Sequence, residues 1–397
     1  MNDLPLRPAA EIGAVEDRFF TLRNFPLTDG TVMPEARVAY ETYGRLAPPN
    51  GPNGGRNAIL CTHGYTGSHH FAGRSPANGN QPGSWDGLIG PGKAIDTEKL
   101  FVVASNMLGS SFGSTNAGSI NPQTGEAYGP DFPNITIRDI VAAQKALLDH
   151  LGIRHLAAVA GPSYGGYQAF QWAVAYPDFI DAIVPVNTAP WASVNTDKQL
   201  AELEVKLAGD LEWHGGRYYG KAACKTVLTD IRVETLKRYG IETALMPRFP
   251  DPAAREAAIR EQAASWAAKW DANSLIILRR ALIGFDTRPD FARIKAKVLY
   301  ILCRTDALFP PKIAPDGPQG VDRGRGRGAL FRARQRSRPF LQRPRARQMV
   351  AGVARVPGAA GRPAELTASP APCLAATGGA RQQHAVPRLR EGKPLNR

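Results

Sequence analysis

Short apolar runs with almost no polar interruption recur along the first three quarters of the chain. Turn-forming residues such as Gly, Pro, Asn and Asp bound most of them. Strands buried on both faces of a parallel sheet have this continuous pattern, whereas half-exposed strands alternate between apolar and polar positions. The pattern therefore predicts buried parallel strands at residues 58–62, 101–105, 157–160, 182–187 and 298–302.

Helical patterns fill the chain between these predicted strands. Thr136 and Asp139 have the spacing of a capping box. Apolar residues then continue at helical spacing, at Ile137, Ile140, Val141, Leu147, Leu148 and Leu151. The alternation of strands and helices predicts an α/β fold with a mostly parallel, doubly wound sheet.

The strand pattern stops between about residues 191 and 285. This stretch is helical in pattern and rich in Ala, Leu, Arg and Trp. We interpret it as a helical lid inserted over the sheet, above the strand ends where ligands bind in α/β proteins. A peripheral helical subdomain with no part in catalysis is the alternative interpretation.

A serine directly follows the predicted strand 157–160, in the segment Gly161-Pro162-Ser163-Tyr164-Gly165. A G-x-S-x-G sequence between a strand and a helix forms a sharp turn that exposes the serine hydroxyl for attack on an ester. We therefore predict Ser163 as a nucleophile. A glycine-rich turn that only packs the helix on the strand is the alternative.

Two backbone N–H groups are candidates for an oxyanion hole. Tyr164 lies at the predicted helix N-terminus, where its N–H has no intrahelical acceptor. The loop His63-Gly64-Tyr65-Thr66-Gly67 follows the predicted strand 58–62 and offers the N–H of Tyr65. Two such donors would stabilise the negative charge that develops on a carbonyl oxygen during acyl transfer.

Asp306 follows the predicted strand 298–302, where the acid of a Ser, Asp, His series belongs. In that role it would orient a histidine and stabilise its charged form. A loop aspartate that only forms a turn is the alternative. His384 is the only histidine after Asp306, and no strand pattern precedes it, so we do not assign it as the base.

The net positive charge of the chain comes entirely from its C-terminal segment. The 397 residues include 49 Lys and Arg against 35 Asp and Glu, a net charge of +14. Residues 317–397 contain 17 basic and 3 acidic residues, which is the whole excess. The remaining residues are balanced in charge, so the basic composition does not indicate that the body of the protein binds nucleic acid.

Composition excludes other classes of protein. No apolar run approaches the ~18 residues of a membrane-spanning helix, and the first residues lack a signal-peptide pattern. The four cysteines are far apart, which predicts buried free thiols rather than a disulfide framework or a metal site. We expect a cytoplasmic protein without a bound metal.

Motifs more specific than the serine turn are spread over the chain. They are Trp85-Asp86-Gly87-Leu88-Ile89-Gly90-Pro91-Gly92, Ser119-Ile120-Asn121-Pro122, Tyr128-Gly129-Pro130-Asp131-Phe132-Pro133, Asp271-Ala272-Asn273-Ser274 and Asp306-Ala307-Leu308-Phe309-Pro310-Pro311. On these motifs the chain resembles the homoserine O-acetyltransferase family of α/β-hydrolase-fold enzymes, over about residues 15–316.

The resemblance implies an α/β-hydrolase core in two parts, residues 15–190 and 286–316, with the lid at 191–285 between them. It also implies ping-pong acyl transfer. Acetyl-CoA would acylate Ser163, a homoserine hydroxyl would take the acyl group, and no cofactor would stay bound. Many members of the family are homodimers, so small-molecule substrates and a second copy of the chain are the implied partners.

Three segments depart from the family pattern. The serine turn usually reads Gly-Gly-Ser-Met-Gly-Gly-Met. Here Pro162 replaces the second Gly, and Tyr164 and Tyr167 replace the two Met residues. The upstream loop usually reads His-Ala-Leu-Thr-Gly, and here it contains Gly64 and Tyr65. The Tyr-Arg-Ser stretch that supplies an arginine for the homoserine carboxylate is not recognisable. An esterase with water as the acceptor is therefore the alternative to a transferase.

The family's histidine is expected beyond Asp306, in a segment like Asp-Ser-x-x-Gly-His, which this chain lacks. We predict that the reading frame slips near Asp316. Read one nucleotide later, the codons of Gln348-Met349-Val350 require Lys or Arg followed by Trp, a pair typical of the family after its histidine. Synonymous codons for residues 329–340 permit Arg-Tyr-Phe-Glu-Leu-Asp-Ser-Asp-Arg-Gly-His in the same frame.

This hypothesis makes residues 317–397 an aberrant tail rich in Arg, Pro and Gly, which we expect to be disordered. The last strand and helix of the fold would be missing, and strand 298–302 would be an exposed edge. The chain would have no catalytic histidine and little activity. The distant alternative is RNA binding by the tail, since Arg323-Gly324-Arg325-Gly326-Arg327 resembles segments that bind RNA backbones.

Overall fold

The computed structural model describes residues 11–51, 54–76, 79–221, 224–304, 306, 308–310 and 313, and the backbone of 328–332. Apart from that last segment, the predictions for residues 317–397, including those for His384, fall outside the described residues. Among the described residues, no helix is long and apolar enough to cross a membrane.

Twelve strands are present in the described part of the chain. They are β1 Arg18–Pro26, β2 Val32–Tyr43, β3 Ala58–Thr62, β4 Arg74–Ser75, β5 Gln81–Pro82, β6 Ile89–Gly90, β7 Ile95–Asp96, β8 Phe101–Ser105, β9 Leu156–Pro162, β10 Ala182–Val186, β11 Lys297–Leu302 and β12 Gly328–Arg332. The five predicted strands correspond to β3, β8, β9, β10 and β11.

Eight strands form one sheet in the order β1-β2-β8-β3-β9-β10-β11-β12. The pairs β1–β2 and β2–β8 are antiparallel, and the other five pairs are parallel. The predicted mostly parallel sheet is therefore confirmed. The chain leaves β3 toward β8 on one side and returns to β9 on the other, so a crevice opens at the carboxyl ends of β3 and β9.

Seven α-helices accompany the strands in the described residues. They are α1 Ile137–His150, α2 Tyr164–Ala175, α3 Thr196–Ala208, α4 Lys225–Arg238, α5 Ile241–Leu245, α6 Pro252–Ala267 and α7 Ala272–Arg280. The Thr136 hydroxyl accepts from the Asp139 N–H and the Asp139 carboxylate accepts from the Thr136 N–H, which is the predicted capping box. Helices α3 to α7 lie between β10 and β11 in the chain. This is the stretch, about residues 191–285, for which the sequence predicted helices and no strands.

The prediction that the sheet ends at residue 302 is wrong. The backbone of β12 pairs with β11 in parallel register, from Val298 opposite Gly328 to Leu302 opposite Arg332. The edge of a sheet presents unpaired N–H and C=O groups, and a short extended segment satisfies them whatever its origin. Strand β11 is therefore an interior strand rather than the expected exposed edge.

Two apolar layers cover the two faces of the sheet. One contains the buried faces of α1 and α2 and much of the α7 segment. The other packs residues 71–104 against the opposite face, through side chains that include Phe71, Trp85 and Ile89. Cys61 and Cys224 are buried free thiols, as predicted. Cys303 is disulfide-bonded, which contradicts the prediction for that residue.

Candidate active site

Ser163 occupies a sharp turn between β9 and α2. Its backbone has φ 52° and ψ −116°, a conformation that is strained for any residue with a side chain. The Ser163 N–H donates to the Val186 carbonyl at 2.8 Å, and the Ser163 carbonyl accepts from the Gly166 N–H at 2.8 Å. Strand β10 and helix α2 thus hold the strained residue on both sides, and its side chain is half-buried.

The glycines of the turn are required by its contact with β3. A Cβ on Gly161 would lie 2.2 Å from the Thr62 hydroxyl oxygen, and one on Gly165 would lie 2.2 Å from the Thr62 carbonyl oxygen. The Thr62 hydroxyl also donates to the Gly165 carbonyl at 2.9 Å. The predicted tight turn is therefore a three-way contact between β3, β9 and the start of α2.

The two predicted N–H donors lie on the loops that meet at this turn. A Cβ built on Gly64 would be 3.9 Å from the Cβ of Ser163, so the loop before Tyr65 runs beside the serine. The N–H groups of Tyr65 and Tyr164 have no acceptor among the described residues. No described residue forms a hydrogen bond with the Ser163 hydroxyl either. The turn thus offers two free N–H groups and one free hydroxyl.

Asp306 lies beyond the end of β11, as predicted. Its Oδ1 accepts from the N–H groups of Leu308 and Phe309, both at 2.9 Å, and its own N–H donates to the Cys303 carbonyl at 3.2 Å. The aspartate therefore forms its own turn through Oδ1. Its Oδ2 has no hydrogen bond with another described residue. Burial and then the negative charge of Asp306 raise the pKa of Tyr239, which places that phenol near the carboxylate.

No histidine among the described residues contacts Ser163. His63 belongs to the loop that runs beside the serine, but its ring nitrogens lie 2.9 Å from the Gly64 carbonyl and 2.7 Å from Asn106 Oδ1. His69, His70 and His155 each pair with a carboxylate elsewhere. The structure therefore brings Ser163, Tyr65 and Tyr164 together without a described base.

Burial lowers the pKa of His63 to about 4, whereas an unfolded histidine titrates near ~6.5. Between these values the unfolded chain binds a proton that the folded chain does not. The free energy of unfolding should therefore rise as pH increases from about 4 to about 6.5, by on the order of 3 kcal/mol at most. Urea unfolding at several pH values should show a smaller rise for His63→Gln than for the exposed His150→Gln. Equal slopes for the two variants would contradict the assignment.

Helix α7 accepts hydrogen bonds from both loops that meet at the serine turn. The Tyr65 hydroxyl donates to the Leu275 carbonyl, and the Tyr164 hydroxyl donates to the Leu278 carbonyl at 2.9 Å. The guanidinium of Arg279 lies over the Tyr65 ring, 5.0 Å from its centroid. The helical segment therefore contacts the serine turn directly.

Sequence comparisons agree with this geometry. Residues 57–320 match a family described as having the alpha/beta hydrolase fold. A homoserine O-acetyltransferase of Moorella thermoacetica is 37% identical over 324 residues, which cover 76% of this chain and 84% of that protein. The chain belongs to the homoserine O-acetyltransferase family. The enzyme of the same name from Methanosphaerula palustris is 40% identical over 72% of this chain, but the chain spans only 61% of its length.

A solved structure with the same fold is named as an esterase. The crystal structure of esterase E22 superimposes with a TM-score of 0.72 and 32% identity, covering 80% of this chain and 93% of that one. Similarity of fold therefore extends over members named as transferases and over one named as an esterase, and it does not by itself decide the acceptor.

The structure identifies one candidate site residue, an arginine, that the sequence analysis missed. Arg232 of α4 donates to the Thr66 hydroxyl at 3.1 Å and lies over the Trp266 ring, whose N–H donates to the Thr66 carbonyl at 3.2 Å. Burial lowers the pKa of Arg232 to about 10, and its Nε has no hydrogen-bond partner in the part of the chain that the structure describes. No local motif marks Arg232, because its place depends on how α4 packs against the loop of Tyr65.

Proposed function

We propose that this chain is built for acyl transfer through an acyl-serine on Ser163, with acetyl-CoA as donor and the hydroxyl of homoserine or a similar acceptor as recipient. The observation that carries the proposal is the strained serine turn, which presents one free hydroxyl beside two free N–H groups. The names of relatives with 37–40% identity support this donor and acceptor.

Each described group has one role in the proposed reaction. Ser163 Oγ attacks the thioester carbonyl, and the N–H groups of Tyr65 and Tyr164 stabilise the oxyanion. The thioester bond breaks, coenzyme A leaves as the thiol, and the acyl group stays on Oγ. The acceptor hydroxyl then attacks this ester and regenerates the serine. Asp306 would orient the base that takes and returns the proton.

The acceptor pocket is proposed to lie between the serine turn and α4. Arg232 of α4 is the group suited to an acceptor carboxylate, because it is a half-buried cation beside the loop that follows Tyr65, and its Nε has no partner among the described residues. Segment 191–285 is then a lid that builds the acceptor side of the pocket, over a core of residues 15–190 and 286–316. A homodimer and a cytoplasmic location stay predictions.

No described residue is a base that could serve Ser163, so we propose that the activity of the chain as written is severely reduced. The reading-frame hypothesis is supported by the family match, which ends at residue 320, close to the change in composition. Sequencing the source gene across the codons for Pro310 to Val350 tests it, and an unshifted frame without a Gly-His codon pair would contradict it.

Acyl transfer is tested by the release of free coenzyme A from acetyl-CoA, with and without homoserine. The chain read in the shifted frame should release coenzyme A faster when homoserine is present, and Ser163→Ala should abolish the release. Arg232→Gln should raise the KM for homoserine about tenfold or more, with little change in the KM for acetyl-CoA. Mass spectrometry should find the acetyl group on the peptide that contains Ser163.

The second candidate function is ester hydrolysis with water as acceptor. It is favoured by the 32% identity to esterase E22 and by the departures at Tyr65 and Tyr164. An esterase would cleave p-nitrophenyl acetate at a rate that homoserine does not change, and Arg232→Gln would leave that rate intact. RNA binding by residues 317–397 stays a distant alternative.

A further inference from the structure

Three ionisable side chains, two of them buried, form a cluster where the loop after β3 meets the start of β1 and strand β2. It consists of Asp17, Glu41 and His69, whose potential ligand atoms all lie within 4.8 Å of one another. Asp17 immediately precedes β1, Glu41 belongs to β2, and His69 follows Gly67 by two residues. Three segments distant in sequence therefore place two carboxylates and one imidazole at a single point.

The two carboxylates of this cluster lie close together. Glu41 is fully buried, and Asp17 Oδ1 lies 3.0 Å from His69 Nε2. Two carboxylates held this close in a poorly hydrated site repel each other unless a proton or a cation separates them.

Glu41 is already oriented by residues outside the cluster. His70 Nδ1 lies 2.9 Å from Glu41 Oε1, and the Tyr43 hydroxyl donates to Oε2. His70 Nε2 faces the Gln81 carbonyl at 2.9 Å, so both ring nitrogens of His70 face oxygen atoms. Outer groups that fix a carboxylate in this way are typical of metal sites.

His69 is not satisfied by hydrogen bonds where it lies. Its side chain is 3% exposed, and its Nδ1 has no hydrogen-bond partner among the described residues. A buried polar atom without a partner is costly, so hydrogen bonding alone does not explain why an imidazole is buried beside Asp17. Coordination through the ring would supply the missing interaction energy.

We propose that Asp17, Glu41 and His69 bind a divalent transition-metal cation. One imidazole nitrogen with two carboxylates suits zinc or manganese, whereas the hard cations magnesium and calcium prefer oxygen ligands alone. The Asp17 side chain is 28% exposed, which gives the ion a route from solvent. The cation would join β1 and β2 to the segment behind Gly67 and so brace the loop of Tyr65, without touching substrate.

The sequence analysis predicted no metal, because these residues lack a ligand motif of close spacing. The ligands come together only when β1 pairs with β2 and the loop after β3 folds onto that pair. The site is independent of Ser163 and of acyl transfer. Its test therefore does not depend on whether the chain has a catalytic base.

The test is zinc binding to the full chain, measured by isothermal titration after dialysis against a chelator. We expect one zinc per chain at this site, with an affinity that falls at least tenfold in Asp17→Asn and in His69→Gln. His155→Gln is the matched control, because His155 also contacts a carboxylate, Asp181, at 2.9 Å. It should bind zinc like the unmodified chain, and magnesium should not compete.

The visible spectrum of bound Co²⁺ is a second measurement, and it reports on the metal ligands rather than on folding. Bound Co²⁺ should show visible bands of nitrogen and oxygen ligation, without a thiolate charge-transfer band, and the bands should disappear in Asp17→Asn. Should His69→Gln fail to fold, the partly exposed Asp17→Asn carries the comparison. Equal zinc affinity in Asp17→Asn and the unmodified chain, or no saturable binding, would overturn the proposal and indicate a shared proton instead.

Discussion

Reading the codons beyond Asp316 one nucleotide later is expected to raise the rate of acyl transfer by about four orders of magnitude. The chain as written has a serine with no described base, so its hydroxyl must lose a proton to water during attack. The shifted reading supplies a Gly-His pair after a strand, where a base can reach the serine beside Asp306. The measurement is coenzyme A release from acetyl-CoA by the two chains at equal concentration.

Two further chains make this comparison specific. In the shifted chain, Ser163→Ala should return the rate to that of the chain as written, and so should replacement of the new histidine by Gln. A chain cut after Asp316 tests whether the present tail contributes anything, and it should be no more active than the chain as written. An active chain as written, with a rate that depends on Ser163, would refute the proposal that a base is missing.

Gly165→Ala is expected to destabilise the fold by about 3 kcal/mol or more, enough to prevent accumulation of folded protein. The new methyl carbon would lie 2.2 Å from the Thr62 carbonyl oxygen and 2.8 Å from its carbonyl carbon. Both atoms belong to the backbone of β3, which is paired on both sides, so no side-chain rotation relieves the overlap. Thermal or urea unfolding followed by circular dichroism measures the effect.

Gly87→Ala is the matched control for this substitution. A Cβ at Gly87 meets nothing within 4 Å, and its backbone does not need the left-handed conformation. We expect its free energy of unfolding to stay within about 0.5 kcal/mol of the unmodified chain. If Gly165→Ala were as stable as Gly87→Ala, β3 and the serine turn could not be in the contact described.

The sequence predicted the elements whose signals are local. Buried parallel strands have continuous apolar runs, and the capping box at Thr136 and the turn at Ser163 each lie within a few residues. Strands β1 and β2 were not predicted, because an antiparallel edge mixes polar and apolar positions. Arg232 and the cluster at His69 were missed because their contacts join segments far apart in sequence. Strand β12 was missed because its pairing depends on the edge that β11 offers.

The anchoring of Tyr65 and Tyr164 to α7 limits how the site can be altered. Because both hydroxyls donate to carbonyls of one helix, the serine turn, the loop beside it and the α7 segment form one unit. A substitution that removes either phenol would therefore also remove a hydrogen bond that holds α7, so the wall of the site and the serine turn cannot be altered independently.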